Sequence, residues 1–111
     1  KSRTASLIAT ETLKELLNRY KFNPTITKDK ATGVWEISID EISAAGFGDT
    51  KEKAVEMIVD VVLDLTDDFF EEIDLNMRVE NTRRQYPFYL RIKHCSSINE
   101  LLKVLNLNTI I

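Results

Sequence analysis

Within residues 34–40, apolar and polar positions alternate from Trp35 to Asp40. Trp35, Ile37 and Ile39 share one side; Glu36, Ser38 and Asp40 share the other, the period of a half-buried strand. From Lys51 the period becomes helical. Ala54, Met57, Ile58, Val61, Val62 and Leu65 fall at i, i+3, i+4, i+7, i+8 and i+11, a stripe that predicts a helix to about Phe70. Between the two lies Gly46-Phe47-Gly48-Asp49-Thr50, read as a glycine hinge closed by a cap. Asp49 with Glu52 has capping-box spacing, and Thr50 is the competing N-cap.

The flanks extend this unit. Residues 5–8 suit a brief edge strand or an extended arm. Thr10 caps a helix to about Tyr20 whose buried stripe is Leu13, Leu16, Leu17 and Tyr20, and Asn23-Pro24 stops it. Residues 25–28 form a strand, 29–33 a hairpin turn, 41–43 a kink and 44–47 a short third strand. Pro87 belongs in a first helical turn, so a break near Tyr86 and a helix over 87–94 follow. Ser97 with Glu100 opens a helix over 98–105, Asn106 ends it, and 108–111 is a tail with two isoleucines.

The predicted class is α+β: a small, mainly antiparallel three-stranded sheet packed by one long helix, with additional C-terminal helices. Residues 1–74 form the core unit and 75–111 the C-terminal helical segment. Val55, Val59 and Leu63 lie off the main stripe of the long helix, which therefore touches two surfaces. The second is either the C-terminal helices or another subunit, and a homodimer is expected.

Length and composition suit one compact globular domain: 111 residues, 43% apolar and 30% charged. A single cysteine, Cys95, rules out an intrachain disulfide and points to a reducing cytosol. No apolar run reaches the roughly 18 residues of a membrane span, and residues 1–4 do not read as a signal peptide. The expected location is cytoplasmic. The net charge of −3 is unevenly spread: +1 over residues 1–48, −8 over 49–76 and +4 over 77–111.

Asp60, Asp64, Asp67, Asp68, Glu71 and Glu72 recur at helical spacing on the long helix. Three readings are open for them: a solvated face, a docking face for a basic partner, or carboxylates holding a divalent metal. Metal is disfavoured because side chains on a straight helix fan outward. The segment 81–92 mixes arginines with aromatics. It suits either base stacking with phosphate neutralisation or a core of Tyr86, Phe88, Tyr89 and Ile92 with surface arginines. His94 and Cys95 are adjacent, and neighbours on a helix diverge by about 100°, so a packed cysteine beside a surface histidine is favoured over a catalytic pair. Gly46-Phe47-Gly48 lacks the Lys-Ser/Thr of a phosphate loop and opens an acidic helix. No enzyme, no cofactor and no metal is expected.

Trp35-Glu36-Ile37-Ser38-Ile39-Asp40-Glu41-Ile42, followed by Gly46-Phe47-Gly48-Asp49-Thr50-Lys51-Glu52-Lys53-Ala54-Val55, resembles the core of HicB-like antitoxins. There an aromatic-led strand precedes a Gly-Asp-Thr turn and a helix. Lys53-Ala54 stands where that family tends to have Glu-Ala, and the usual proline-rich stretch between strands is missing. Ala9-Thr10-Glu11-Thr12-Leu13-Lys14-Glu15-Leu16-Leu17 and Thr25-Ile26-Thr27-Lys28 look like the first helix and strand of Phd/YefM-type antitoxins. Asn81-Thr82-Arg83-Arg84-Gln85-Tyr86-Pro87-Phe88-Tyr89-Leu90-Arg91 is similar to the C-terminal part of RelB-like antitoxins, which pair with RelE-type toxins.

The resemblance implies a type II antitoxin, a non-catalytic protein that binds and neutralises a basic RelE/HicA-type toxin ribonuclease, often repressing its own operon as a dimer. A HicB core implies a partial ribonuclease-H-like fold without the catalytic carboxylates. The expected partner-binding residues are Asp60, Asp64, Asp67, Asp68, Glu71, Glu72, Phe88 and Tyr89. Arg78, Arg83, Arg84 and Arg91 are the expected nucleic-acid contacts, with operator DNA as the second partner. The alternatives are a stand-alone DNA-binding regulator using those arginines, and an immunity or adaptor protein for another effector.

Overall fold

The structure is a computed structural model and describes residues 19–109. The predicted arm at 5–8, nearly all of the first helix and the terminal isoleucines lie outside the described residues.

Strand β1, Thr25–Lys28, turns back into β2, Trp35–Ile39, and the two pair antiparallel with Ile26 opposite Ile37. The reversal is set locally. Asp29 Oδ1 accepts from the Ala31 N–H at 2.8 Å, and Gly33 closes the turn at φ 75°, where a side chain would be strained. A short 3-10 turn, Asp40–Ile42, ends with Ser43 in the left-handed region at φ 54° and delivers β3, Ala44–Gly48. β3 pairs antiparallel with β2, Ile37 opposite Gly46, and the sheet order is β1-β2-β3. The sheet is the expected small antiparallel one, and its order makes it a meander.

Thr50, not Asp49, caps the long helix α1, Lys51–Glu71: its hydroxyl accepts from the Lys53 N–H at 3.1 Å. The glycine hinge is also corrected. Gly46 and Gly48 belong to β3, and both lie against the backbone of α1. A Cβ on Gly46 would stand 2.6 Å from the Ile58 nitrogen, and one on Gly48 would stand 2.4 Å from the Ala54 nitrogen. Their absent side chains let the helix settle directly onto the strand.

That close seat fixes which face of α1 is buried. Ala54, Val55, Ile58, Val59, Val62, Thr66 and Phe69 are inside, while Met57 is 42% exposed and Val61 and Leu65 are half-buried. The buried face is rotated from the expected stripe because β2 and β3 cover one side and the C-terminal helices the other. Val55 and Val59 are thereby used within the chain, and of the three off-stripe residues only Leu63 stays exposed. The Thr66 hydroxyl is satisfied inside the core by donating to the Val62 carbonyl at 2.7 Å.

Two single-turn helices that the sequence pattern did not announce follow: α2, Ile73–Asn76, and α3, Glu80–Arg83. Side chains tie them to α1. Asn76 Nδ2 donates to the Phe69 carbonyl at 2.9 Å, and the Thr82 hydroxyl donates to the Asn76 carbonyl at 2.6 Å. Helix α4, Tyr86–Lys93, carries Pro87 in its first turn as expected. Helix α5, Ile98–Val104, is capped by Ser97, whose hydroxyl accepts from the Glu100 N–H at 3.1 Å. Glu100 returns its carboxylate to Ser96, not Ser97, accepting from the N–H at 2.8 Å and the hydroxyl at 2.6 Å. Asn106 then reverses the chain at φ 60° and donates to the Phe22 carbonyl at 2.7 Å. One hydrophobic core joins Phe22, the sheet residues Ile37 and Ile39, the inner face of α1, Tyr89 and Ile92 of α4, and Leu101, Leu105 and Leu107.

Candidate partner-binding surface

With its inner side buried, α1 presents a continuous anionic ridge on the outer side. Asp60, Asp64, Asp67 and Glu71 follow at i, i+4, i+7 and i+11, directly opposite the buried face, and all are exposed. The ridge is about 16 Å long at the helical rise. Asp68 and Glu72 flank it and are exposed too. None of these six carboxylates is in an ion pair among the described residues; the ion pair present joins Arg84 to Glu80 at 2.9 Å.

The helix bears this charge at a cost. Asp60/Asp64, Asp64/Asp68, Asp67/Glu71 and Asp68/Glu72 are like charges one turn apart, each costing a few tenths of a kcal/mol. Several sit in the last turn, where the negative end of the helix dipole opposes them, and that turn holds no basic residue. The carboxylates run along the ridge and do not converge: no group of acidic, histidine or cysteine side chains that could hold a metal occurs among the described residues.

Phe88 and Tyr89 are not on this surface. Tyr89 is 3% exposed and stacks on Phe69 with centroids 4.7 Å apart. Phe88 packs edge-on against Tyr20 at 5.4 Å and Phe22 at 5.2 Å. Both fill the seam between α4 and the rest of the core. Burial pushes the Tyr89 phenol above its usual range, and the negative charge of Asp68 pushes it the same way.

The four arginines are spread out: Arg78 precedes α3, Arg83 and Arg84 close it, and Arg91 is on α4. Arg84 is held by Glu80, and Arg91 donates to the Tyr20 carbonyl at 2.8 Å, serving as an internal clamp. Arg78 and Arg83 are exposed. Cys95 is half-buried and donates to the Arg91 carbonyl at 3.4 Å, while His94 is exposed. Burial first and Glu100 second push the thiol up, with Arg91 opposing, so it lacks the lowered pKa of an activated nucleophile.

Sequence reasoning missed the outer edge of the sheet. Phe47 of β3 is 46% exposed, and its backbone N–H donates to Met57 Sδ at 3.2 Å. The signal was present as five consecutive small or apolar residues with no charge among them. Beside Phe47, a shallow depression of about 420 Å³ opens on the outer sheet face over Thr27, Val34 and Glu36.

A three-stranded meander under one long helix, wrapped by short C-terminal helices and bearing an acidic ridge without an ion pair among the described residues, makes this a small α+β protein. The family of PHD-like antitoxins of RelE/RelB toxin–antitoxin systems matches residues 1–107, and the chain belongs to it. It is an antitoxin of a toxin–antitoxin system. The match spans the stretch that resembles HicB-like cores as well as both flanks, so one family accounts for nearly the whole chain. The fold is shared with a 1.80 Å crystal structure from Syntrophomonas wolfei subsp. wolfei, an antitoxin part of a proposed toxin/antitoxin system. The TM-score is 0.69 at 20% identity, covering 85% of this chain and 67% of that one. No curated protein matches the sequence. Among the described residues no helix is long and apolar enough to cross a membrane.

Proposed function

We propose that this antitoxin neutralises a cationic toxin ribonuclease of the RelE/HicA type by laying the acidic ridge of α1 into the groove where the toxin holds RNA. The observation behind this reading is the charge that α1 carries against its own stability. An exposed helix gains nothing internally from Asp60, Asp64, Asp67 and Glu71 in one row. A basic groove gains both attraction and a fast, steered encounter. The role is non-catalytic and belongs in a reducing cytosol, where such a ribonuclease meets its RNA.

The test is copurification with the small basic protein encoded beside the antitoxin. Changing Asp64, Asp67 and Asp68 to Asn and Glu71 to Gln should weaken that complex by about tenfold or more and flatten its salt dependence. Unchanged affinity removes the ridge from the interface. A DNA-binding role in autorepression is supported less well, since Arg84 and Arg91 are both engaged within the chain. A mobility shift with upstream DNA that weakens steeply with salt would support it.

A further inference from the structure

Among the described residues β3 is an outer strand of the sheet, and its outer edge lacks the devices that usually close one. Ala44-Ala45-Gly46-Phe47-Gly48 has no lysine, no proline and no charged side chain. The Phe47 N–H points away from β2, because it donates to Met57 Sδ at 3.2 Å. In an antiparallel ladder, alternate residues turn their backbone groups the same way. Ala45 therefore turns its N–H and C=O toward the outer side, and Phe47 its C=O. A thioether is a weak acceptor on a flexible stem, so Met57 holds a place that a carbonyl can take.

The side chains beside this edge change character along the helix. Phe47 and Met57 are exposed at 46% and 42%. Met57, Val61, Asp64 and Asp68 follow at i, i+4, i+7 and i+11, so the flank of α1 beside the edge runs from apolar to acidic. We propose that β3 accepts an extended segment of the cationic toxin as a fourth strand, its apolar side chains against Phe47 on the outer sheet face and its basic ones on the helix face toward Asp64 and Asp68. This rests on the reading of the chain as an inhibitor of a basic protein. Charge selects the occupant. Two copies joined through β3 would bring two acidic flanks together, whereas a basic strand neutralises one. Main-chain bonds supply affinity, and alternating side chains supply selectivity.

The probe is a peptide of about seven residues, alternating valine and lysine, titrated into the full chain beside the same peptide N-methylated on alternate residues. The unmodified peptide should bind about tenfold tighter, weaken with salt, and slow hydrogen exchange at Ala45. Ala45→Pro removes an N–H that takes no part in the β2 ladder and should erase the difference between the peptides; Ala45→Lys should weaken binding by like charge. Circular dichroism checks that both variants fold. Equal binding of the two peptides, or binding without protection at Ala45, overturns strand addition and leaves the anionic ridge standing. No binding of either peptide also overturns it, as does salt-independent binding. A dimer of the free chain protected at Ala45 assigns the edge to a second copy and overturns the choice of occupant.

Discussion

Gly46 and Ile58 meet backbone to backbone: a Cβ on Gly46 would stand 2.6 Å from the Ile58 nitrogen and 2.9 Å from its Cα. Neither atom can swing aside as a side-chain tip would. Gly46→Ala should therefore lift α1 off β3 and cost about 2–3 kcal/mol or more, measured by urea denaturation. Gly33→Ala is the contrasting variant. Nothing lies within 4 Å of its would-be Cβ, and its cost comes only from φ 75°. It should lose about 1–2 kcal/mol. Equal losses at the two sites would mean that the helix is not seated as described.

The acidic ridge should show a trade between stability and binding. Asp67→Asn with Glu71→Gln removes a like-charge pair and two charges from the negative end of the helix dipole. The double variant should be more stable by about 0.5 kcal/mol, a rise in Tm of about 2–4 °C by calorimetry at low salt. The same variant should bind its toxin more weakly. A lower Tm would mean that these carboxylates support the fold.

These two cases separate what the residues announced from what they withheld. The alternation at Trp35, Ile37 and Ile39 and the helical period after Lys51 are local, and both elements stand where the period puts them. The role of Gly46 is not local, since the same two glycines read as a hinge until a helix is laid over them. The rotation of the buried face toward Val55 and Val59 likewise depends on which elements cover α1. α2 and α3 are single turns, too short for any period to show, and Asn76 and Thr82 hold them through backbone carbonyls. The acids of α1 were legible as a stripe because a solvent face needs no tertiary partner to define it. Phe88 and Tyr89 stayed open to both readings, because an aromatic residue serves a core and an interface equally well until its neighbours are known; here both rings pack inward.

Tyr89 should destabilise the fold at alkaline pH. Its phenol is held above the usual value of 10 by burial and then by Asp68. A raised pKa in the folded state means that the neutral phenol stabilises the fold fully below pH 10, and that this stability is lost as pH rises from there toward the folded pKa. Tyr89→Phe should remove that part of the alkaline decline in ΔG of unfolding. Tyr89→Ala should cost about 3–5 kcal/mol at neutral pH, because the ring stacked on Phe69 is lost and a cavity remains.

At the acid end the sign reverses. Glu100 is held below the usual carboxylate range, first by the Ser96 hydroxyl and next by the Ser96 N–H. A depressed pKa contributes stability above the unfolded value, and this contribution disappears as pH falls through the folded pKa. Ser96→Ala should lower Tm at neutral pH and have little effect once the carboxylate is protonated. The group is solvent-facing, so the loss is small. A pH-independent loss would assign the effect to helix packing and not to the charged hydrogen bond.

Arg91 and Asn106 reach the same short segment from the C-terminal half, one bonding the Tyr20 carbonyl at 2.8 Å and the other the Phe22 carbonyl at 2.7 Å. Between them they fasten the chain entering β1 to α4 and to the turn after α5. Arg91→Ala leaves a carbonyl without its charged donor and should cost about 2 kcal/mol. At Asn106 two contributions are separable. Asn106→Gly keeps φ 60° accessible and loses only the bond, about 1 kcal/mol; Asn106→Ala adds left-handed strain and should lose about 2–3 kcal/mol. Hydrogen exchange provides the second readout: in each variant the amides of 20–28 should open before those of β2 and β3. If Arg91→Ala leaves both stability and exchange unchanged while weakening DNA binding, Arg91 is a phosphate contact in solution and the clamp does not exist.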